Sequence, residues 1–220
     1  VALRGSLEFA KEDEAFTRAL ALAPGSARIL AVYCRHAAEI GRTAAAIDAG
    51  RRALMLDPLN FHTHRTVGIA YIHVRQYEDA LVAFQKAISL EPKYVRNYFL
   101  SGATRYLMGS YDDARKSCEA ASADEGGQAC LAMTYHKLGR QADAEAMLHK
   151  VKTAEGESGA YDYAEIYAQW GDIPKALEWL ETAVRLRDPD LGQLKTDPYL
   201  DPMRGEPHFQ AIERALKLPD

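Results

Sequence analysis

FHTHRTVGIAYIHVRQYEDALVAFQKAISLEPKY, residues 61–94, is the stretch whose spacing decides the fold. His64, Val67, Gly68 and Tyr71 fall on one face of a first helix, and Ala80, Phe84 and Ala87 fall on one face of a second. Two antiparallel helices joined by a short turn approach closely only where side chains are small. Gly68 and Ala80 therefore let one ridge settle into the other's groove. Tyr71 and Phe84 fill the volume on either side. Glu91-Pro92 stops the second helix, because the residue before a proline is driven away from helical backbone.

The pattern repeats with a period of about 34 residues. One period toward the N-terminus, Leu30, Tyr33, Cys34 and Ala37 lie on a first helix, and Ala46, Gly50, Ala53 and Pro58 on a second. One further step leaves only a second half, with Phe16, Ala19 and Pro24 in place. The helix from about residue 7 to 22 is thus half a hairpin. Its partner is expected upstream of Val1, where the chain opens without an initiator Met. Toward the C-terminus the period continues through Tyr98, Gly102, Ala114 and Cys118. It is shortened at Glu125-Gly126-Gly127, then resumes through Ala132, Tyr135, Gly139 and Ala144, and again through Ala164, Tyr167, Gly171 and Ala176. Gly41, Gly109, Gly139 and Gly171 stand where helix C-termini need a left-handed residue.

Residues 61–94 resemble a tetratricopeptide (TPR) repeat, with His64 in place of the family's Trp. The resemblance implies an all-α fold: a right-handed superhelical solenoid of about twelve helices, hairpin stacked on hairpin. One domain over 1–220 is expected. It comprises a half repeat at 7–26, repeats at 27–60, 61–94, 95–124, 125–156 and 157–190, and a linker with a capping helix at 191–220. In the cap, Pro207 opens the helix and Phe209, Ile212 and Leu216 follow at helical spacing. Residues 179–216, with Asp188-Pro189, Asp197-Pro198, Asp201-Pro202 and Arg204, also resemble the ends of repeat regions in bacterial multidomain regulators. Those carry winged-helix, adenylate-cyclase or protein-kinase domains. The chain is thereby expected to be part of a larger bacterial regulatory protein acting in signal transduction.

A formal charge of -4, with Lys and Arg scattered, leaves no footprint for a nucleic-acid backbone. No apolar run approaches the roughly 20 residues of a membrane span, and no signal peptide opens the chain. Nothing resembles a nucleophile elbow, a phosphate-cradling glycine loop or a HEXXH pair, so no enzyme is expected. The expected partner is a protein or peptide, and neither nucleic acid nor membrane.

Groove positions carried over from the family give Arg28, Arg35, Glu39, His62, Arg65, His73, Arg96, Phe99 and Tyr106 in the first three full repeats. The later ones add Met133, His136, Lys137, Tyr161, Asp162, Glu165 and Gln169, so the basic character fades toward the C-terminus. The candidate site is Arg28, Arg35, His62, Arg65, His73, Arg96, Phe99, Tyr106, His136 and Lys137. Guanidinium groups pair bidentately with carboxylates and rings supply apolar area, which suits an acidic peptide. The alternative is a scaffold that self-associates as a homodimer and brings attached effector domains together. A closed small-molecule cavity is not advertised by these polar residues.

Neither cofactor nor metal is expected. His62 and His64 lie about 200° apart around a helix, and His62 and His73 about 16 Å apart along it. Cys34, Cys118 and Cys130 are too few for a disulfide framework or a zinc site. A cytoplasmic location with reduced thiols is the default, a periplasmic one being open if the parent protein has an upstream membrane anchor. Cys34 and Cys118 occupy core positions, and Cys130 lies on the helix packing beside that of Cys118. A disulfide between Cys118 and Cys130 is open if the domain is exported.

Overall fold

The structure, a computed structural model, describes residues 9–218. The start of the expected half repeat and the chain ends at 1–8 and 219–220 lie outside the described residues. Twelve α-helices and no strands occur among the described residues. They are α1 (Phe9–Leu22), α2 (Ala27–Glu39), α3 (Thr43–Leu56), α4 (Phe61–His73), α5 (Tyr77–Leu90), α6 (Arg96–Leu107), α7 (Tyr111–Glu119), α8 (Glu125–Lys137), α9 (Gln141–Glu155), α10 (Ala160–Trp170), α11 (Ile173–Leu186) and α12 (Pro207–Leu216). From α2 to α11 successive helices pair as hairpins, and both helices of α2–α3, α4–α5 and α6–α7 pack on the first helix of the hairpin that follows. The architecture is a helical solenoid of the TPR type.

The close approach inferred for Gly68 is present. A methyl group there would come within 2.7 Å of the Phe84 ring, which is fully buried beside Ala80 and Ala87. Leu30, Cys34, Val67, Tyr71 and Phe84 belong to one apolar cluster across α2 to α5. α1 docks on this end through Asp13, which accepts from Arg42 at 2.6 Å, and through Phe16 stacked on His36 at 4.5 Å.

The turn within each hairpin demands a left-handed residue. Gly171 supplies it after α10 with φ +81°. After α4 the residue one period from both Gly41 and Gly109 is Arg75, which takes φ +62° although it has a side chain. A non-glycine residue there carries a steric cost of about 1 kcal/mol or more.

Two features depart from expectation. Residues 191–205, expected as a linker, form a strap with short 3-10 turns at Pro189–Gln193 and Pro198–Met203. Leu191, Leu194, Leu200 and Met203 of this strap are fully buried against α10, α11 and the capping helix, whose Phe209 is fully buried too. The second departure concerns the default of reduced thiols. Cys118 of α7 and Cys130 of α8 are joined by a disulfide with Cα atoms 6.0 Å apart, leaving Cys34 as the free, buried cysteine. The short third hairpin, α6–α7, brings α7 and α8 to bridging distance.

Candidate functional site

A period of 34 places equivalent residues of successive first helices side by side. Arg28, His62 and Arg96 are one such row, Ala31, Arg65 and Phe99 another, and Arg35, Ile69 and Ala103 a third. Facing them, the strap runs back across the first helices. Thr196 Oγ1 donates to the carbonyl of Glu39 at 2.9 Å and lies 3.3 Å from His73 Nδ1. Tyr199 Oη donates to the carbonyl of Ala103 at 3.2 Å. Gln169 of α10 donates to the Tyr199 carbonyl at 2.6 Å and accepts from Tyr106 Oη at 2.9 Å. Arg75, held out by its left-handed backbone, donates to Asp201 at 2.8 Å.

Between strap and helices lies a cavity of about 490 Å³. One wall is built by Arg35, Arg65, His73, Arg96 and Phe99 over a floor of Ile69, Ile72 and Leu100. Arg35 is paired with Glu39 at 2.7 Å. Arg65 donates to Tyr94 Oη at 2.7 Å and lies over its ring, while its Nε is buried without a partner. Arg96 is exposed, 3.7 Å from Asp124.

The other wall is acidic, with Glu125, Glu155, Asp162, Glu165, Asp190 and Asp197. Asp197 is buried and accepts from Tyr161 Oη at 3.0 Å and from the Tyr199 amide at 2.8 Å. Burial and the neighbouring Asp197 and Asp162 carboxylates hold the Glu165 carboxyl well above its usual range, so that it stays protonated and hydrogen-bonded to Asp197. Asp162 is pushed up to about 8, first by burial and then by Glu155, Asp190, Asp188 and Asp197. Burial also raises Glu155, with Glu125 adding to the effect. Low dielectric makes each ionised carboxylate costly, and like charges nearby add to the cost.

The sequence-derived site is therefore divided. Arg35, Arg65, His73, Arg96 and Phe99 share the cavity. Tyr106 is buried beneath the strap, packed on Tyr111 and Tyr199. Arg28 and Lys137 are exposed and lie outside this cavity, and exposed His62 rests on Phe61 and Tyr94. His136 stacks on Trp170 at 5.3 Å and borders a second, shallower depression with His149, Lys152 and Lys175. Asp190, Asp197 and the strap were missed. The available signal was Arg75, an arginine at the period's glycine position, together with Asp188-Pro189 and Asp197-Pro198, two Asp-Pro pairs that start turns. Among the described residues no group of three His, Cys, Asp or Glu is placed to hold a metal ion.

The fold is a helical solenoid of the tetratricopeptide-repeat type, and proteins built of such repeats are generally non-enzymatic scaffolds. The tetratricopeptide-repeat family model matches residues 66–94. No curated protein matches the chain. Among solved structures, PilF of Pseudomonas aeruginosa is 16% identical with a TM-score of 0.55, over 86% of this chain and 97% of that one. This likeness bears on the fold alone. YrrB, described as a TPR protein with an unusual peptide-binding site, is 19% identical with a TM-score of 0.49, over 82% of this chain and 96% of that one. MamA is 18% identical with a TM-score of 0.47, over 67% and 90%. No helix among the described residues is long and apolar enough to cross a membrane.

Proposed function

We propose that the chain is a non-catalytic protein-interaction module that holds a peptide or protein segment in its concave groove. In this reading the five hairpins are the repeats of a single domain and serve a larger bacterial regulatory protein. The observation that carries it is the convergence of Arg35, Arg65, Arg96 and Phe99, from three successive first helices, on one cavity. Acidic side chains of the segment meet the guanidinium groups, and Phe99 supplies apolar contact. Binding of a random peptide library to the wild type and to the Arg65→Glu, Arg96→Glu variant tests this. Loss of about tenfold or more in affinity is expected, given what hydrogen bonds to charged groups contribute. Unchanged binding by the folded variant sinks the groove as the site.

Self-association is the second reading. Exposed Leu22, Met55, Leu56 and Leu59 at the ends of α1 and α3 favour it. A solution mass that stays monomeric across a concentration series overturns it. The Cys118–Cys130 bridge favours an exported location over the reducing cytoplasm. Two free thiols at these positions in protein isolated under alkylating conditions would reverse that preference.

A further inference from the structure

The cavity has a basic wall and a carboxyl-lined wall whose protonated Asp162 and Glu165 ionise as a cation arrives beside them, and only the basic wall matches an acidic ligand. On the strap side the carboxylates of Glu125, Glu155, Asp162 and Asp190 have no hydrogen-bond or ion-pair partner among the described residues, although all four border the cavity. Glu155 Oε2 is buried with nothing to accept from. The nearby cation Arg204 is occupied elsewhere: it donates to the carbonyls of Leu194 and Asp197 and to the Asp201 carboxylate. Facing them, Arg65 meets Tyr94 but no carboxylate, and its Nε is buried without a partner. Each wall thus presents partly desolvated polar groups whose complement is missing, an arrangement that costs free energy until opposite charge arrives. Among the described residues the carboxylates do not converge in threes as metal ligands, which favours an organic cation over a metal ion.

We propose that the cavity takes a dipolar segment: an amine or guanidinium seated among Asp162, Glu165 and Asp190, with a neighbouring carboxylate on Arg65 and Arg96. This rests on the groove being a peptide site and names the chemistry of what it selects. The enclosed volume is in the range that holds a compact ligand, so one pair of oppositely charged side chains enters while the rest of the segment lies outside. The charge order along the groove also fixes which way the segment runs, since reversal sets like charges against each other.

The test is selection of a random displayed-peptide library on the full chain, on an Asp162→Asn, Glu165→Gln variant and on an Arg65→Gln, Arg96→Gln variant, with folding checked by circular dichroism. The same three proteins are titrated with the dipeptide arginyl-glutamate. Wild type is expected to enrich peptides carrying Lys or Arg beside Asp or Glu. The carboxamide variant is expected to lose the Lys and Arg preference and keep the acidic one, the Gln variant to do the reverse. Enrichment of acidic peptides alone, unaffected by Asp162→Asn, Glu165→Gln, overturns the inference and leaves the peptide groove standing. No enrichment, with dipeptide binding that falls about tenfold or more in the carboxamide variant, keeps the dipolar site and removes the peptide reading. No peptide enrichment and no dipeptide binding overturns both.

Discussion

The α4–α5 hairpin and the strap at 191–205 are both buried, yet they are held in place by different kinds of contact. In the hairpin, Gly68, Ala80, Phe84 and Ala87 mesh within a span of 20 residues, and Val67, Tyr71 and Phe84 share one apolar cluster. The strap is held at one end by buried Leu191, Leu194, Leu200 and Met203, and along its length by hydrogen bonds to residues 96 and 157 positions away in sequence. The hairpin specifies itself locally. The strap exists only once the repeats it spans are stacked, and it ties the C-terminal end of the solenoid back to α2 and α4. An open array of repeats folds by nearest-neighbour terms, and a long-range tie makes the ends answer to each other.

Paired truncations give the largest test of that difference. Phe84→Ala removes a fully buried ring and is expected to cost about 3–5 kcal/mol. Leu200→Ala, also fully buried, is expected to cost about 2–5 kcal/mol. Urea denaturation followed by circular dichroism reads both. The strap is structural if Leu200→Ala shifts the whole transition. A wild-type midpoint with only local amide exchange near 191–205 would make it a detachable appendage.

The two regions were not equally legible in the sequence, and the reason lies in the range of their contacts. The period of 34 is written by small residues at fixed spacing, so the close helix approach at Gly68, the Pro92 stop and the capping helix with Phe209 could be read directly, although the residue that meets Gly68 is Phe84 and not the Ala80 expected. The same period ordered Arg65, Arg96 and Phe99 along one groove. The strap has no periodicity. Its Asp188, Asp197 and Pro198 reveal local turns, with Asp188 and Asp197 each accepting a backbone amide two residues on, but nothing local says which distant helices they meet. Asp162 and Glu165 were placed in the groove as residues of a fading basic surface. Their electrostatics came from Glu155, Asp188, Asp190 and Asp197, which only the folded chain brings to them.

A smaller effect sharpens the electrostatic side of the comparison. Asp162 faces Glu155 from the end of α9, Glu165 from its own helix, Asp188 and Asp190 from the turn that leads into the strap and Asp197 from the strap, with Arg35, Arg65, His73 and Arg96 across the cavity. Its carboxyl is pushed from an ordinary 3.8 up to about 8, so the folded state binds more protons than the unfolded one between those values. Stability from this group is full below the unfolded value and falls as pH rises toward 8. Asp162→Asn is expected to raise the melting temperature at pH 8 and to change it little at pH 4. Equal shifts at both pH values would mean that the strap does not keep water from this wall.

The smallest effect tests whether the strap is anchored at its far side by Arg75. Arg75→Gly relieves the left-handed backbone but removes a donor to Asp201, and both partners of that pair are exposed. Relief of about 1 kcal/mol and loss of a solvent-screened pair worth about 0–1 kcal/mol nearly cancel, so the melting temperature is expected to stay within a few degrees of wild type. Hydrogen exchange separates what the melting curve cannot. If Arg75 clamps the strap, the Arg204 amide, which donates to the Asp201 carbonyl, exchanges faster in Arg75→Gly at unchanged global stability. If its exchange is unchanged, the buried leucines hold the strap alone, and the arginine at a glycine's position needs another explanation.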